Sequence, residues 1–263
     1  MNLHDRGLKK FASIKYLLLI ICGFVMQSCV TQNRYLQSVN TCDAFTCVNE
    51  VDAIEQLELQ KQGKRKLQIY LIRHAKPNLK KKLFYSAEEA QQYVYDYNSV
   101  PIVPFDPEMV KVNLNPNHFI YCSNLPRSQE TALAIFGKDY PVVSDSIFRE
   151  YEIKVVKASS IIKLPLPIWQ FFSRGSWLLG FNHKGIESRK ETKQRVKYAV
   201  ENLIKVAEKE ETAVLVAHGM LNHGLENHLK KQGWQVIQKN GQANLGATIL
   251  VKIVDLEQKI IFF

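Results

Sequence analysis

Arg73 and His74 stand directly after an apolar run, Leu67 to Ile72, and such a pair puts a nitrogen nucleophile beside a cation that can hold a phosphate. Three distant segments supply groups of the same kind, each just past another apolar run: Arg127 after 118–122, Glu150 after 141–144 and His218 after 213–217. Two histidines, two arginines and a carboxylate are what a phosphoryl transfer through a phosphohistidine needs. A neutral imidazole attacks phosphorus and divides one hard displacement into two easier ones. His74 is the nucleophile in this reading, since an ordinary pKa near 6.5 leaves much of it neutral around pH 7. Arg73 and Arg127 offer planar forks that match phosphate oxygens. His218 would donate a hydrogen bond to a further oxygen, and the first amides of the helix after Ser123 would add partial positive charge. Glu150 would protonate the leaving oxygen and then activate water. Taken singly, each residue has an ordinary reading: a surface ion pair for the arginines, a helix cap for His218, a solvated loop acid for Glu150.

The elements that must position these groups give them a common address. From Lys66 onward, short apolar runs alternate with longer helical periodicities, the pattern of one α/β domain with a mostly parallel central sheet flanked by helices on both faces. Strands are expected at 67–72, 118–122, 141–144 and 213–217, with the segment from Ala247 closing the chain as a hairpin or two edge strands. Ligands of open parallel sheets bind beyond the carboxyl ends of the strands, so the candidate residues would meet in one crevice. Ser86 with Glu89 predicts a capping box for a helix reaching about Asn98, and Pro126 opens a helix that ends near Gly137. Val196, Val200, Leu203 and Ala207 mark a helix within 187–208, and a last helix runs from Gly219 to before Gly233. Two irregular segments remain, 100–117 and 163–185. The second, rich in aromatic residues, prolines and glycines, reads either as a loop completing a satellite core or as a lid or wall over the site.

The segments LIRHAKP, SNLPRSQETA, FREYE and VAHG together resemble the histidine phosphatase superfamily, the phosphoglycerate-mutase-like fold, over roughly Lys66 to the C-terminus. The resemblance rests on Arg73 and His74, on Ser123, Leu125, Arg127, Thr131 and Ala132, on Arg149 and Glu150, and on His218 with Gly219. It implies a phosphatase that hydrolyses a small phosphomonoester through His74, with Glu150 and His218 as catalytic partners and Arg73 and Arg127 on the phosphate. Glu187 and Ser188 followed by Arg195 also resemble a helix-opening segment of many members. The chain departs from the family in reading YEIKVVKASS at the acid motif, which leaves Glu152 as a competitor to Glu150. It also reads AKPN after His74, where Asn78 becomes a candidate phosphate contact. The altered acid motif keeps a second reading open, a phosphate- or phosphoester-binding envelope lipoprotein without turnover. No cofactor is expected, and the absence of close histidine and carboxylate spacing argues against a metal site.

The N-terminus reads as a bacterial export signal, residues 1–28: a basic start, then an apolar stretch Tyr16 to Ser28 shorter than the roughly 20 residues of a membrane span. Cys29, after Ser28, resembles the lipidated cysteine of bacterial lipoproteins, with ordinary signal cleavage as the other reading. Residues 29–65 then form a tether, with a helix around 48–62 closed by Gly63, and 66–263 the catalytic domain of an envelope protein held to the membrane by lipid. Net charge is +10, and removing Arg6, Lys9, Lys10 and Lys15 with Asp5 leaves +7, a basic surface with no zinc-finger or RNA-binding motif and hence no expected nucleic-acid partner. Cys42 and Cys47 are spaced for a small disulfide loop in an oxidising compartment. Cys122 reads as a small buried apolar residue.

Overall fold

The run that ends in Arg73 forms β1, Lys64–Arg73, which begins two residues before the expected domain start and is buried on both faces from Leu67 to Ile72 except at half-buried Gln68. A strand buried on both faces needs a layer on each side. The computed structural model describes residues 58–256 apart from 111, 113, 116 and 242, all within the compact unit Val48–Phe263. The leader, Cys29, Cys42 and Cys47, the tether up to residue 57 and the end of the chain from residue 257 lie outside the described residues. Of the expected tether helix, 58–61 are described and helical, and Gly63 follows at φ 70°, a left-handed conformation that suits glycine.

The other strands are β2 (Ile120–Ser123), β3 (Val142–Asp145), β4 (Thr212–Ala217), β5 (Gln235–Lys239) and β6 (Ala247–Asp255), in the order β3-β2-β4-β1-β6-β5. β3, β2, β4 and β1 are mutually parallel, while β6 runs antiparallel to both of its neighbours. The expected terminal edge strand is therefore corrected. The segment from Ala247 is an interior strand, inserted between β1 and a strand, β5, that the sequence reading missed.

The described residues form helices α1 (Ala87–Ser99), α2 (Pro126–Phe136), α3 (Leu166–Leu178), α4 (Arg189–Glu210) and α5 (Gly219–Lys231), of which α2, α4 and α5 lie against the sheet, while α1 packs on α2 and α3. Leu67, Ile69, Leu71, Ala213 and Leu215 face one way and pack on Val196, Val200 and Leu203 of α4 and on Leu221, Leu225 and Leu229 of α5. Alternate side chains point to the opposite face, where α2 lies against β2 and β4. Burying each large aliphatic side chain contributes about 1.5–3 kcal/mol, so this core outweighs the roughly 1 kcal/mol of any single cap. The caps set where helices begin. Ser86 and Ser188 each form a complete capping box, with Glu89 and Glu191.

The segment 163–185 is helical over Leu166–Leu178 and ends in a loop, 179–185. Pro165 and Pro167 start helix α3, whose Leu166 and Trp169 join Tyr85, Ala87, Ala90 and Tyr93 of the α1 region in a satellite core. Trp169 Nε1 donates to Tyr85 O at 2.8 Å. The satellite-core reading of these aromatic residues holds for Trp169, whereas Phe171, Phe172 and Phe181 are exposed.

Candidate active site

β1 and β4 pair with Arg73 opposite Ala217, so the next residues, His74 and His218, leave the sheet side by side. Their ring centres lie 5.1 Å apart. The His74 amide donates to Ala217 O at 2.9 Å, and its carbonyl accepts from Asn244 Nδ2 at 3.0 Å, which ties this strand end to the loop before β6. Both rings are buried.

The hydrogen bonds assign the His74 tautomer. Nδ1 lies 2.7 Å from Ala75 O, a pure acceptor, so Nδ1 carries the proton. Nε2 then keeps its lone pair and accepts from Arg127 Nε at 3.1 Å. Burial first, and then the neighbouring Arg127, bring the His74 pKa down to about 3. Burial also holds His218 well below its ordinary value, with Arg127 and His74 adding to the effect. His218 Nε2 lies 3.4 Å from Ser128 Oγ, and its buried Nδ1 has no hydrogen-bond partner among the described residues.

Pro126, at the first helical position, starts α2 so that Arg127 turns inward, and its side chain is almost wholly enclosed. Arg127 Nη1 donates to Tyr97 O at 3.1 Å and Asn98 Oδ1 at 2.9 Å, and the guanidinium lies 4.9 Å from the centre of the Tyr97 ring. These partners leave Arg127 aimed at His74 with no carboxylate paired to it among its hydrogen bonds. Thr131 Oγ1 accepts from the Ala75 amide at 2.9 Å and donates to Arg127 O at 2.6 Å, joining the two motifs directly. Arg73 packs against the start of α5, where a Cβ on Gly219 would come within 3.4 Å of the guanidinium carbon. Two guanidinium groups and two neutral imidazoles thus share one end of the sheet, an arrangement that favours an anion.

Glu150 belongs to the same end. Its carboxylate accepts from the amides of Tyr151 at 2.9 Å, Leu221 at 3.1 Å and Met220 at 3.3 Å, the last two in the first turn of the helix that follows His218. Glu152 points elsewhere, accepting from the Glu187 amide at 2.7 Å. The segment carrying Glu150 is clamped from behind. Arg195 binds Glu187 through Nε and Nη2, and its Nη1 donates to Ile147 O and Arg149 O, each at 2.9 Å. Arg174 of α3 donates to Tyr151 O and Glu152 O, both at 2.6 Å, so the aromatic helix is a wall that braces this segment. Gly224 leaves room for the Tyr151 phenol, which a Cβ there would strike.

Asn78 is exposed, with its amide donating to Pro101 O at 2.8 Å, and no described hydrogen bond joins its side chain to His74 or Arg127. The asparagines that do reach these residues, Asn98 and Asn244, escaped the sequence reading. Cys122 is buried, and burial pushes its thiol up to about 11, which suits packing and not attack. His183 and His223 are exposed. Among the described residues no group of three or more His, Cys, Asp or Glu is placed to hold a metal ion.

The depressed histidines set a pH dependence of stability. In the unfolded chain both protonate near pH 6.5. Below that value the unfolded state binds protons that the folded state refuses, so stability falls as pH drops from 6.5 toward about 3 for His74. Each histidine contributes up to about 1.4 kcal/mol per pH unit in this window. The urea midpoint is expected to be lower at pH 5 than at pH 7, with a shallower change in His74→Ala. Equal midpoints in the wild type would contradict the buried neutral pair.

A family model described as "Histidine phosphatase superfamily (branch 1)" matches residues 111–255. Among solved structures, a mycobacterial glucosyl-3-phosphoglycerate phosphatase is 18% identical, the alignment covering 71% of this chain and 91% of that one, with a TM-score of 0.43. A phosphoglycerate mutase from Bacillus anthracis is 15% identical, with 73% and 90% covered and a TM-score of 0.47. A phosphoserine phosphatase variant from Entamoeba histolytica, in complex with phosphoserine, is 16% identical, with 74% and 99% covered and a TM-score of 0.37. No curated protein matches the chain.

Proposed function

Because the chain belongs to the histidine phosphatase superfamily, we propose that it is a phosphatase that hydrolyses a small phosphomonoester through a phosphohistidine at His74. The family match begins after His74, so the support for the nucleophile is geometric. The observation that carries it is the His74 ring, with its proton held on Nδ1 by Ala75 O and its Nε2 lone pair turned toward Arg127 beside His218.

In the first step Nε2 bonds to phosphorus as the ester P–O bond breaks, and the leaving oxygen takes a proton from Glu150. In the second, Glu150 removes a proton from water, the resulting hydroxide attacks the phosphohistidine, and inorganic phosphate leaves with His74 restored. The substrate phosphate would take over the Arg127 Nε–H that His74 accepts, and Arg73 would meet a further oxygen. With Ser128 Oγ against His218 Nε2, a proton on the unpartnered Nδ1 is available to a phosphoryl oxygen. Donors fixed in a water-poor site act on developing charge without reorganising, which is worth far more than the same contacts in water.

One observation favours the second reading, binding without turnover: three amides hold the Glu150 carboxylate, a capping role that occupies the acid. A generic aryl phosphate separates the two. Hydrolysis by the wild type that continues in EDTA is expected from the phosphatase. A folded protein that binds phosphate but releases no phenol would establish the binder.

We also propose that the protein resides in the cell envelope, with a lipid on Cys29. The basic start, the short apolar stretch and the cysteine after Ser28 support this. Labelled palmitate fed to expressing bacteria is expected to enter the wild type and not Cys29→Ser. Equal labelling of both would remove the anchor.

A further inference from the structure

The loop after β1 and the segment before α3 meet at an antiparallel bridge, Tyr85 with Leu164, each amide donating to the other's carbonyl at 2.9 Å. This contact brings KKKLF, 80–84, beside SSIIK, 159–163. The apolar side chains of both are turned out: Leu83 is 84% exposed, Phe84 56%, Ile161 88% and Ile162 46%. Helix α3 continues the pattern. Leu166, Trp169, Ser173 and Trp177 form its buried face, yet Phe171, Phe172 and Leu178 on its other side, with Leu179 and Phe181 just beyond, are exposed. A helix with apolar residues on two opposite sides needs cover on both. Exposed apolar residues in such continuity mark an interaction surface and not ordinary scatter.

Charge indicates what covers it. From Ile153 to Ile186 there is no Asp or Glu, against Lys154, Lys157, Lys163, Arg174 and Lys184. From Lys76 to Ala87 there is again none, against Lys76, Lys80, Lys81 and Lys82. Lys82 pairs with Glu89 at 2.9 Å, and Lys163 also acts on that carboxylate, so the two basic segments share one rim. Exposed Leu, Ile and Phe ringed by lysines are the chemistry of a surface lying in the headgroup layer of an anionic bilayer, apolar tips in the acyl boundary and ammonium groups among phosphates. At 13 residues α3 is too short to span a bilayer, which takes about 20. A second copy of the chain would set lysine rim against lysine rim.

We infer that the surface formed by 80–84, 159–163 and the outer side of α3 docks on an anionic lipid bilayer. Both loops leave the carboxyl edge of the parallel strands, the edge that carries His74 and Glu150, so docking turns that end of the sheet toward the membrane. The contact is distinct from a lipid at Cys29.

Hydrogen exchange on the full-length protein tests this region by region, whatever the leader does. With vesicles of phosphatidylcholine containing phosphatidylglycerol, deuterium uptake is expected to fall several-fold at 80–84, 159–163 and 170–181, and to recover in high salt. The triple variant Lys80→Glu, Lys81→Glu, Lys163→Glu, all at exposed positions, is expected to lose that protection and keep its unfolding midpoint. Vesicle-bound protein with these segments unprotected would show attachment through the leader alone and overturn the inference. Protection that appears without vesicles and grows with protein concentration would assign the surface to self-association and also overturn it.

Discussion

Replacing His74 by alanine is expected to lower turnover of a simple aryl phosphate by about 10⁴-fold or more, because removing a nucleophile removes the covalent path and leaves only what the binding groups supply. The loss should fall on kcat. Arg73, Arg127 and His218 remain to hold phosphate, so phosphate and vanadate should still raise the unfolding temperature of the variant. Arg127 keeps its anchors at Tyr97 O and Asn98 in the absence of the imidazole. Activity within about tenfold of the wild type in a folded His74→Ala would assign the nucleophile elsewhere.

Glu150→Gln is expected to be the next most costly change, about 10²–10⁴-fold in steady-state turnover, the range for losing a positioned acid and base. Glutamine's one oxygen can keep the amides of Tyr151 and Leu221, which share a carboxylate oxygen, so only the longer Met220 contact at 3.3 Å is lost and the start of α5 should survive. The two steps should separate by leaving group. Nitrophenolate departs without a proton, so the variant should release about one equivalent of nitrophenol rapidly and then stall, because no base activates water. An alkyl phosphate needs the proton and should show no burst. Glu152→Gln should behave like the wild type, since its carboxylate serves the Glu187 amide. A large loss in Glu152→Gln with Glu150→Gln unaffected would reverse the two acids.

The fold was legible wherever the signal was local. Ser86 with Glu89, Pro126 and Gly137 bracket α1 and α2 through cap and turn chemistry that neighbouring residues decide. The buried run before Arg73 announces an interior strand by composition alone. Helix α3 was hidden because its outer side, with Phe171 and Phe172, is as apolar as its buried side, with Trp169 and Trp177, so no single stripe stands out in the sequence, and two prolines read as loop when they start the helix. β5 is five residues of half-exposed alternation, QVIQK, whose pairing with β6 is interrupted between Val236 and Gln238. That β6 enters between β1 and β5 is a tertiary choice that no window of sequence contains.

The candidate site divides the same way. Arg73, His74, Arg127, Glu150 and His218 were visible as residue types at strand ends, and the fold gathers them at one end of the sheet. The groups that aim them were not visible. Asn98 looks like any residue at a helix end until Arg127 is found against it, and Asn244 lies in a loop 170 residues from the carbonyl it holds. The choice between Glu150 and Glu152 turns on which one meets the first turn of α5, a matter of packing among Arg195, Glu187 and Gly224.

The central claim is that phosphorus is transferred to His74. Wild-type protein mixed with a ³²P-labelled phosphomonoester and quenched within its first turnover should carry label that resists alkali and is lost in acid, the behaviour of a phosphoramidate, and peptide mapping should locate it at His74. Label absent from the wild type while product forms, or present at equal level in His74→Ala, would contradict the account.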